Sequence, residues 1–347
     1  MTASPRILIA GAGLAGLACA RALRDGGLDV RVLDKGRGPG GRLSTRREGP
    51  FAFDHGGQYL TARDPRFAGL MVDWQARGVA APWTGRIVRL AGGGVAGGGE
   101  ESPGERYVGT PGMNALVRDL AEGLDVSWGV RVARLDRTAD GWHAVAEDGA
   151  DLGRFGIVVA AVPAPQAAAL LAPAPRLAER ARAARMEACW SVMAVFDPPP
   201  EPGWDAAFVT EGPLSWVARD GSKPGRREPG AWVLHGSRAW SEAHLEERPE
   251  TVAAMLLRAF GELTGAGAPA FARAHRWRYA IPAVPLAEGH LWDAEAGIGA
   301  CGDWCREARG EAAWVSGRDL GERILADLHR GIGAAASAGE GARDRHD

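Results

Sequence analysis

Four cysteines in 347 residues are too few to staple a chain of this length into a disulfide framework, and Cys19, Cys189, Cys301 and Cys305 include no CxxC metal knuckle. A reducing, cytoplasmic setting and no metal site are expected. Neither sign of charge is in excess: 41 Lys and Arg stand against 43 Asp and Glu, which leaves no basic footprint for nucleic acid or an anionic membrane. Long apolar runs are missing too. The run Ile7 to Ala20 is interrupted by three glycines and preceded by one basic residue, so it reads as strand and turn rather than as a secretory signal. Nowhere does the chain approach the roughly 20 apolar residues of a membrane span. These absences leave a soluble protein with a small-molecule partner. A hydrophobic share of 46% supports a sizeable core, and the length allows two domains.

What is present begins at the N-terminus. Arg6 to Ala10 is a short apolar run, Leu14 to Leu23 has helical spacing, and Asp29 to Leu33 is strand-like. Between the first two stands Gly11-Ala-Gly13-Leu-Ala-Gly16, in the strand-then-helix context that gives GxGxxG its meaning. Gly11 allows the tight turn, Gly13 lets the backbone approach a pyrophosphate, and Gly16 allows close packing; Leu14 and Ala15 open the helix whose N-H groups face the anion. Asp34 ends the second strand where a carboxylate accepts the hydroxyls of an adenosine ribose. This constellation predicts a dinucleotide site, and NAD and FAD both remain open to it.

Lys35-Gly-Arg-Gly-Pro-Gly40-Gly41-Arg42 follows at once, a second glycine loop in which Arg42 can bring a fixed cation to a phosphate. A carboxylate followed by Gly-Gly-Arg resembles the flavoprotein amine-oxidase and hydroxylase superfamily. Gly299-Ala-Cys-Gly302-Asp303 resembles that superfamily's second flavin motif, in which the acid hydrogen-bonds the ribityl chain. Gly310-Glu-Ala312-Ala313, by this resemblance, opens a helix facing the flavin O2 and N1 region, where a helix dipole stabilises negative charge. The resemblance implies non-covalently bound FAD, and Cys301 and Cys305 are read as packing rather than as a redox pair or a flavin tether.

Further along stand Asp54-His-Gly-Gly57-Gln58-Tyr59-Leu-Thr61, Gly109-Thr-Pro-Gly-Met113, Trp277-Arg278-Tyr279 and Cys301-Gly-Asp-Trp304-Cys305. Together these resemble the renalase family, its bacterial members in particular, over nearly the whole chain; the glycine-rich segment around Gly92 to Gly99 departs from it. The resemblance implies a two-domain oxidase that takes hydride from isomeric dihydronicotinamides and passes the electrons to dioxygen, giving hydrogen peroxide. A hydride path to the flavin needs no obligatory general base, so aromatic walls are the expected equipment. The substrate-pocket candidates are Tyr59, His235, Trp277, Arg278 and Tyr279. Gly57, Gln58, Tyr59 and Val132 join the cofactor contacts already named. Most of the 13 Trp residues are expected in the core and domain interface.

The expected fold class is α/β: a Rossmann-type FAD-binding domain, hydroxylase or amine-oxidase-like, with a second domain of mostly antiparallel sheet plus helices. The first comprises 1–61, 107–165 and 295–330, and the second 62–106 and 166–294. Within these, helices are expected at 113–124, 167–186, 249–264 and 312–328, and a single strand at 126–135. Segment 91–106 reads as a surface loop or hairpin tip, and 331–347 as a disordered tail. An amine oxidase or dehydrogenase acting on a C-N bond, a hydroxylase, and a non-catalytic flavin-binding interaction protein are the alternative functions.

Overall fold

Ile7–Ala10 is buried at all its positions because it lies in the middle of a six-stranded sheet. The strand order is Leu291–Asp293, Ile298–Ala300, Ile157–Ala160, Ile7–Ala10, Val30–Asp34 and Asp125–Trp128, parallel throughout except for the outermost pair. A parallel sheet must be covered on both faces, which is why its strands read as continuous apolar runs. The computed structural model describes residues 4–92, 94–95 and 105–343, side chains of 331–343 excepted. One face of the sheet carries the first helix, Leu14–Asp25, and the last, Gly310–Arg343. A Cβ on Gly317 would lie 1.9 Å from the Ala15 carbonyl oxygen, so only glycine permits this crossing. The other face is covered by the three-stranded sheet Val132–Thr138, Gly141–Ala146 and Asp151–Phe155 together with helix Ala164–Leu170.

The second sheet has seven strands, in the order Phe271–Val284, Arg185–Val195, Ala231–Gly236, Leu214–Arg219, Ala206–Val209, Ile87–Ala91 and Gly94–Val95. All its pairings are antiparallel except that between Ala206–Val209 and Ile87–Ala91. Side chains alternate between its faces. Trp190, Val192, Trp232 and Leu234 pack under helix Pro249–Thr264, whereas Met193, Val195 and Val233 meet Phe53 from the first half of the chain. That second face roofs the carboxyl ends of the parallel strands.

Three expectations change. The strand expected over 126–135 is two: a turn at Gly129, with φ of 75°, sends Asp125–Trp128 and Val132–Thr138 into different sheets. The helix expected over 167–186 is Ala164–Leu170 followed by Pro175–Ala183, because proline fits the first turn of a helix but not its interior. The last helix runs to Arg343 through the tail expected to be disordered, on alanine-rich sequence with high helix propensity. In the glycine-rich segment, Gly94–Val95 pairs with Leu90 and Ala91 as one arm of a hairpin; positions 93 and 96–104 lie outside the described residues.

Candidate active site

Directly after the first strand stands Gly11, whose φ of 113° makes the turn into the helix. A Cβ on Gly16 would stand 1.9 Å from the Gly11 carbonyl oxygen, which locks turn and helix together. Gly13 differs, since a Cβ there meets no atom within 4 Å. Gly41, in the second glycine loop, would meet only the Gly13 Cα, at 3.9 Å. The two loops therefore face one shared space, a cradle of bare backbone into which a pyrophosphate fits. Leu14 and Ala15 line it at the helix start; Asp34, Lys35 and Gly41 line it from the second strand and loop. Asp34 Oδ2 accepts the Ala12 N-H at 2.6 Å and Oδ1 accepts that of Gly36 at 2.6 Å, so the carboxylate is fixed at the strand end. Val132 lines the same wall, whereas Gly16 and Ala312, also expected at the cofactor, are not among the residues lining it.

Arg42, which also lines the cavity, is paired within the protein. Its two terminal nitrogens donate to the two oxygens of Asp303, each at 2.7 Å, and one also reaches the Ala280 carbonyl at 3.0 Å. Asp303 holds the guanidinium above its ordinary pKa although burial pulls the other way. Both flavin-motif acids and both glycine loops thus border one continuous cavity, which also takes in Gly302, Ala313 and the start of the last helix. Its volume is about 2290 Å³, more than twice the upper end of ordinary ligand pockets.

The roof brings four of the five pocket candidates together. Tyr59 sits 5.8 Å from Trp216 between ring centroids, and both line the cavity. Trp277 donates its indole N-H to the His55 carbonyl at 2.9 Å, and Tyr279 and His235 complete the wall. Arg278 borders the cavity, but its guanidinium is held 2.7 Å from Glu246 and is 41% exposed. Strand alternation explains the separation: His275 and Trp277 turn toward His55, while Arg276 lies over the Trp190 ring on the opposite face.

Sequence reasoning missed further groups on this wall and behind it. His55 and His275 stand edge to face, 4.8 Å apart. Burial, then the neighbouring His275 and Arg46, push the His55 pKa down to about 3; burial and Lys223 push His235 to about 4, and burial and Arg46 do the same for His275, also to about 4. All three imidazoles are uncharged at neutral pH. Cys189, also on the wall, is pushed up to about 12 by burial, so it is a thiol. All four cysteines are free and buried.

Deeper still lies Lys223, one of two lysines in the chain and 2% exposed. Its ammonium donates to Asp220 at 2.6 Å and to Gln58 Oε1 at 3.0 Å, with Asp54 at 3.9 Å. Burial pushes the Asp54 pKa up, but Lys223 and Arg226 outweigh it and the carboxyl is held low; Asp220 ends up raised by burial. Gln58 also accepts from Trp216 at 3.4 Å and donates to the carbonyls of Asp54 and Gly56. Its fixed amide holds the Gly56-Gly57 loop, where the Gly57 N-H donates to the Arg42 carbonyl at 2.8 Å. No sequence signal links positions 58 and 223. Among the described residues no cluster of His, Cys, Asp and Glu could hold a metal, and no helix is long and apolar enough to cross a membrane.

Comparison with known proteins agrees with this geometry. The NAD(P)-binding Rossmann-like domain matches residues 9–74 and the flavin containing amine oxidoreductase family matches residues 81–318. A protein from Exiguobacterium sp. 255-15 assigned as a protoporphyrinogen oxidase superposes with a TM-score of 0.76 at 15% identity, over 94% of this chain and 100% of that one. Wild-type putrescine oxidase bound to putrescine superposes with a TM-score of 0.67 at 15% identity, over 94% of this chain and 99% of its own. At such identities the structures show a shared fold. The family match covers more than half of the chain and agrees with the cradle, so the protein is an FAD-dependent oxidoreductase belonging to the flavin containing amine oxidoreductase family.

Proposed function

We propose that this oxidoreductase oxidises isomeric dihydronicotinamide dinucleotides to the ordinary oxidised nicotinamide, with dioxygen leaving as hydrogen peroxide. One observation carries the reading: the cavity's aromatic wall contains no group that takes up a proton near neutral pH. His55, His235 and His275 are held at about 3 to 4, the Cys189 thiol stays protonated, and the roof-strand residues that line the cavity include no Asp or Glu, its lining acids Asp34, Glu48, Glu147, Asp303, Glu307 and Glu311 all lying outside those strands. An amine arrives as an ammonium and must lose a proton before it can give up hydride. A dihydronicotinamide is a neutral ring that gives hydride without any proton transfer, so this wall suits it as it stands.

When bound, FAD supplies the hydride acceptor and the route to dioxygen. The protein's own work is placement. Tyr59, Trp216, Trp277 and Tyr279 offer flat apolar surface for a dihydropyridine ring and exclude water around it. We assign the cofactor contacts to the two glycine loops, Asp34, Arg42 and Asp303, with the N-terminus of the helix beginning at Gly310 presenting its positive dipole end to the same cavity. The test is peroxide yield with borohydride-generated isomers of NADH, ordinary NADH and a panel of amines. Peroxide from the isomers alone supports the reading; peroxide from an amine alone overturns it in favour of C-N oxidation.

A further inference from the structure

Charge is distributed unevenly over this chain. Its net charge is -2, yet among the described residues thirteen Lys and Arg line the cavity against six Asp and Glu. The diphosphate of a bound FAD offsets only part of that excess, so the cavity favours an anion as its second ligand. Most cations of the roof strand Phe271–Val284 are closely paired: Arg273 lies 2.8 Å from Glu48, and Arg276 and Arg278 each lie 2.7 Å from Glu246. Arg238 differs. It opens the short helix Arg238–Ala243, two residues past Gly236 on the cavity wall, and its side chain is 58% exposed. Glu187 Oε2 stands 3.3 Å away, but that buried oxygen accepts no hydrogen bond from any described residue. The guanidinium is thus near the carboxylate without being aligned to it, and its N-H donors remain unpaired on a residue that lines the cavity. Burial raises the pKa of the Cys189 thiol and the Arg238 charge opposes that rise. Cys189 is the cross-strand partner of Trp277, so the cation stands beside the aromatic wall.

We propose that Arg238 binds the diphosphate of the substrate and so selects dihydronicotinamide dinucleotides over forms of the same ring that end in an uncharged ribose; this rests on the dihydronicotinamide reading above. The aromatic wall recognises the ring alone, and in the dinucleotide the diphosphate follows one ribose beyond it. A guanidinium fork meets phosphate oxygens two at a time and keeps its charge at every working pH.

The probes are borohydride-reduced NAD and borohydride-reduced nicotinamide riboside, which share the isomeric rings and differ in the charged tail. Each mixture is combined anaerobically with the FAD-loaded protein, and the concentration giving half-maximal bleaching rate is read. The wild type is expected to favour the dinucleotide by about tenfold or more, and added salt should narrow that gap by weakening the dinucleotide alone. Arg238→Gln should remove most of the preference, and Arg238→Lys should retain part of it. Arg185→Gln removes the other cation 3.3 Å from Glu187, on a residue outside the cavity lining, and should keep the preference whole. A preference that survives undiminished in Arg238→Gln, or that falls as far in Arg185→Gln, overturns the proposal. Equal use of both mixtures by the wild type also overturns it, while leaving the substrate reading intact. Bleaching by neither mixture removes the substrate reading and this proposal together.

Discussion

Arg42 and Asp303 stand 261 positions apart and form a two-pronged ion pair with both N···O distances at 2.7 Å. The fork ties the second glycine loop to the strand end beside the last helix, so two parts of the proposed cofactor site that are remote in sequence are set by one contact. Arg42→Ala leaves Asp303 largely buried without its cation, and should destabilise the apoprotein by about 2–3 kcal/mol, below the figure for a fully buried pair because solvent reaches about a third of Arg42. Arg42→Lys should recover little, since an ammonium cannot reproduce the planar fork. Urea unfolding of the apoprotein and FAD titration read the two effects separately.

Gly13 permits a cleaner separation of fold from cofactor. Because a Cβ there meets no protein atom within 4 Å, Gly13→Ala should leave apoprotein stability within about 0.5 kcal/mol of wild type. The methyl group projects into the proposed pyrophosphate cradle, so FAD affinity should fall by at least about tenfold. Unchanged FAD affinity would place the pyrophosphate elsewhere.

Lys223 is the cation that joins Gln58 to the buried acids. Lys223→Met should cost about 3 kcal/mol by leaving Asp220 and Asp54 short of positive charge. Adding Asp220→Asn should restore a large part of that, since Asp220 is already the acid that burial pushes toward its neutral form. Additive effects in the double-mutant cycle would show that the two residues do not act as a unit.

The histidines set a pH dependence with a definite sign. His55, His235 and His275 have folded-state pKa values of about 3 to 4 against 6.5 for a free imidazole, so the unfolded chain takes up protons first as pH falls. Their stabilising contribution is complete above 6.5 and is lost progressively toward 4. The thermal midpoint should hold steady above that window and drop through it, ahead of carboxylate protonation. Flavin reduction by substrate, having no histidine to titrate, should keep the same rate across the window while the protein stays folded.

The parallel sheet, its first helix and both glycine loops were legible in the sequence because each rests on local pattern: a continuous apolar run, a 3.6-residue spacing, a turn that only glycine makes. Helix Pro249–Thr264 was legible for the same reason, with proline at its first position. What could not be read is what the tertiary pairing of strands decides. Trp277 and Arg278 are neighbours in sequence, yet pleating puts one against His55 and the other beside Glu246. Lys223 reaches Gln58 only because the turn after strand Leu214–Arg219 lies behind the Gly56-Gly57 loop. The pairing of Arg42 with Asp303, 261 positions away, is likewise set by the fold and not by any local motif.

Anaerobic mixing of the FAD-loaded protein with the borohydride-generated isomers of NADH, with ordinary NADH and amines alongside, tests the central claim most directly. The account predicts rapid loss of the flavin's visible absorbance with the isomer mixture and none with the amines, because the aromatic roof offers no carboxylate and no imidazole that takes up a proton near neutral pH to prepare an ammonium. Bleaching by an amine with none by the isomers would contradict it.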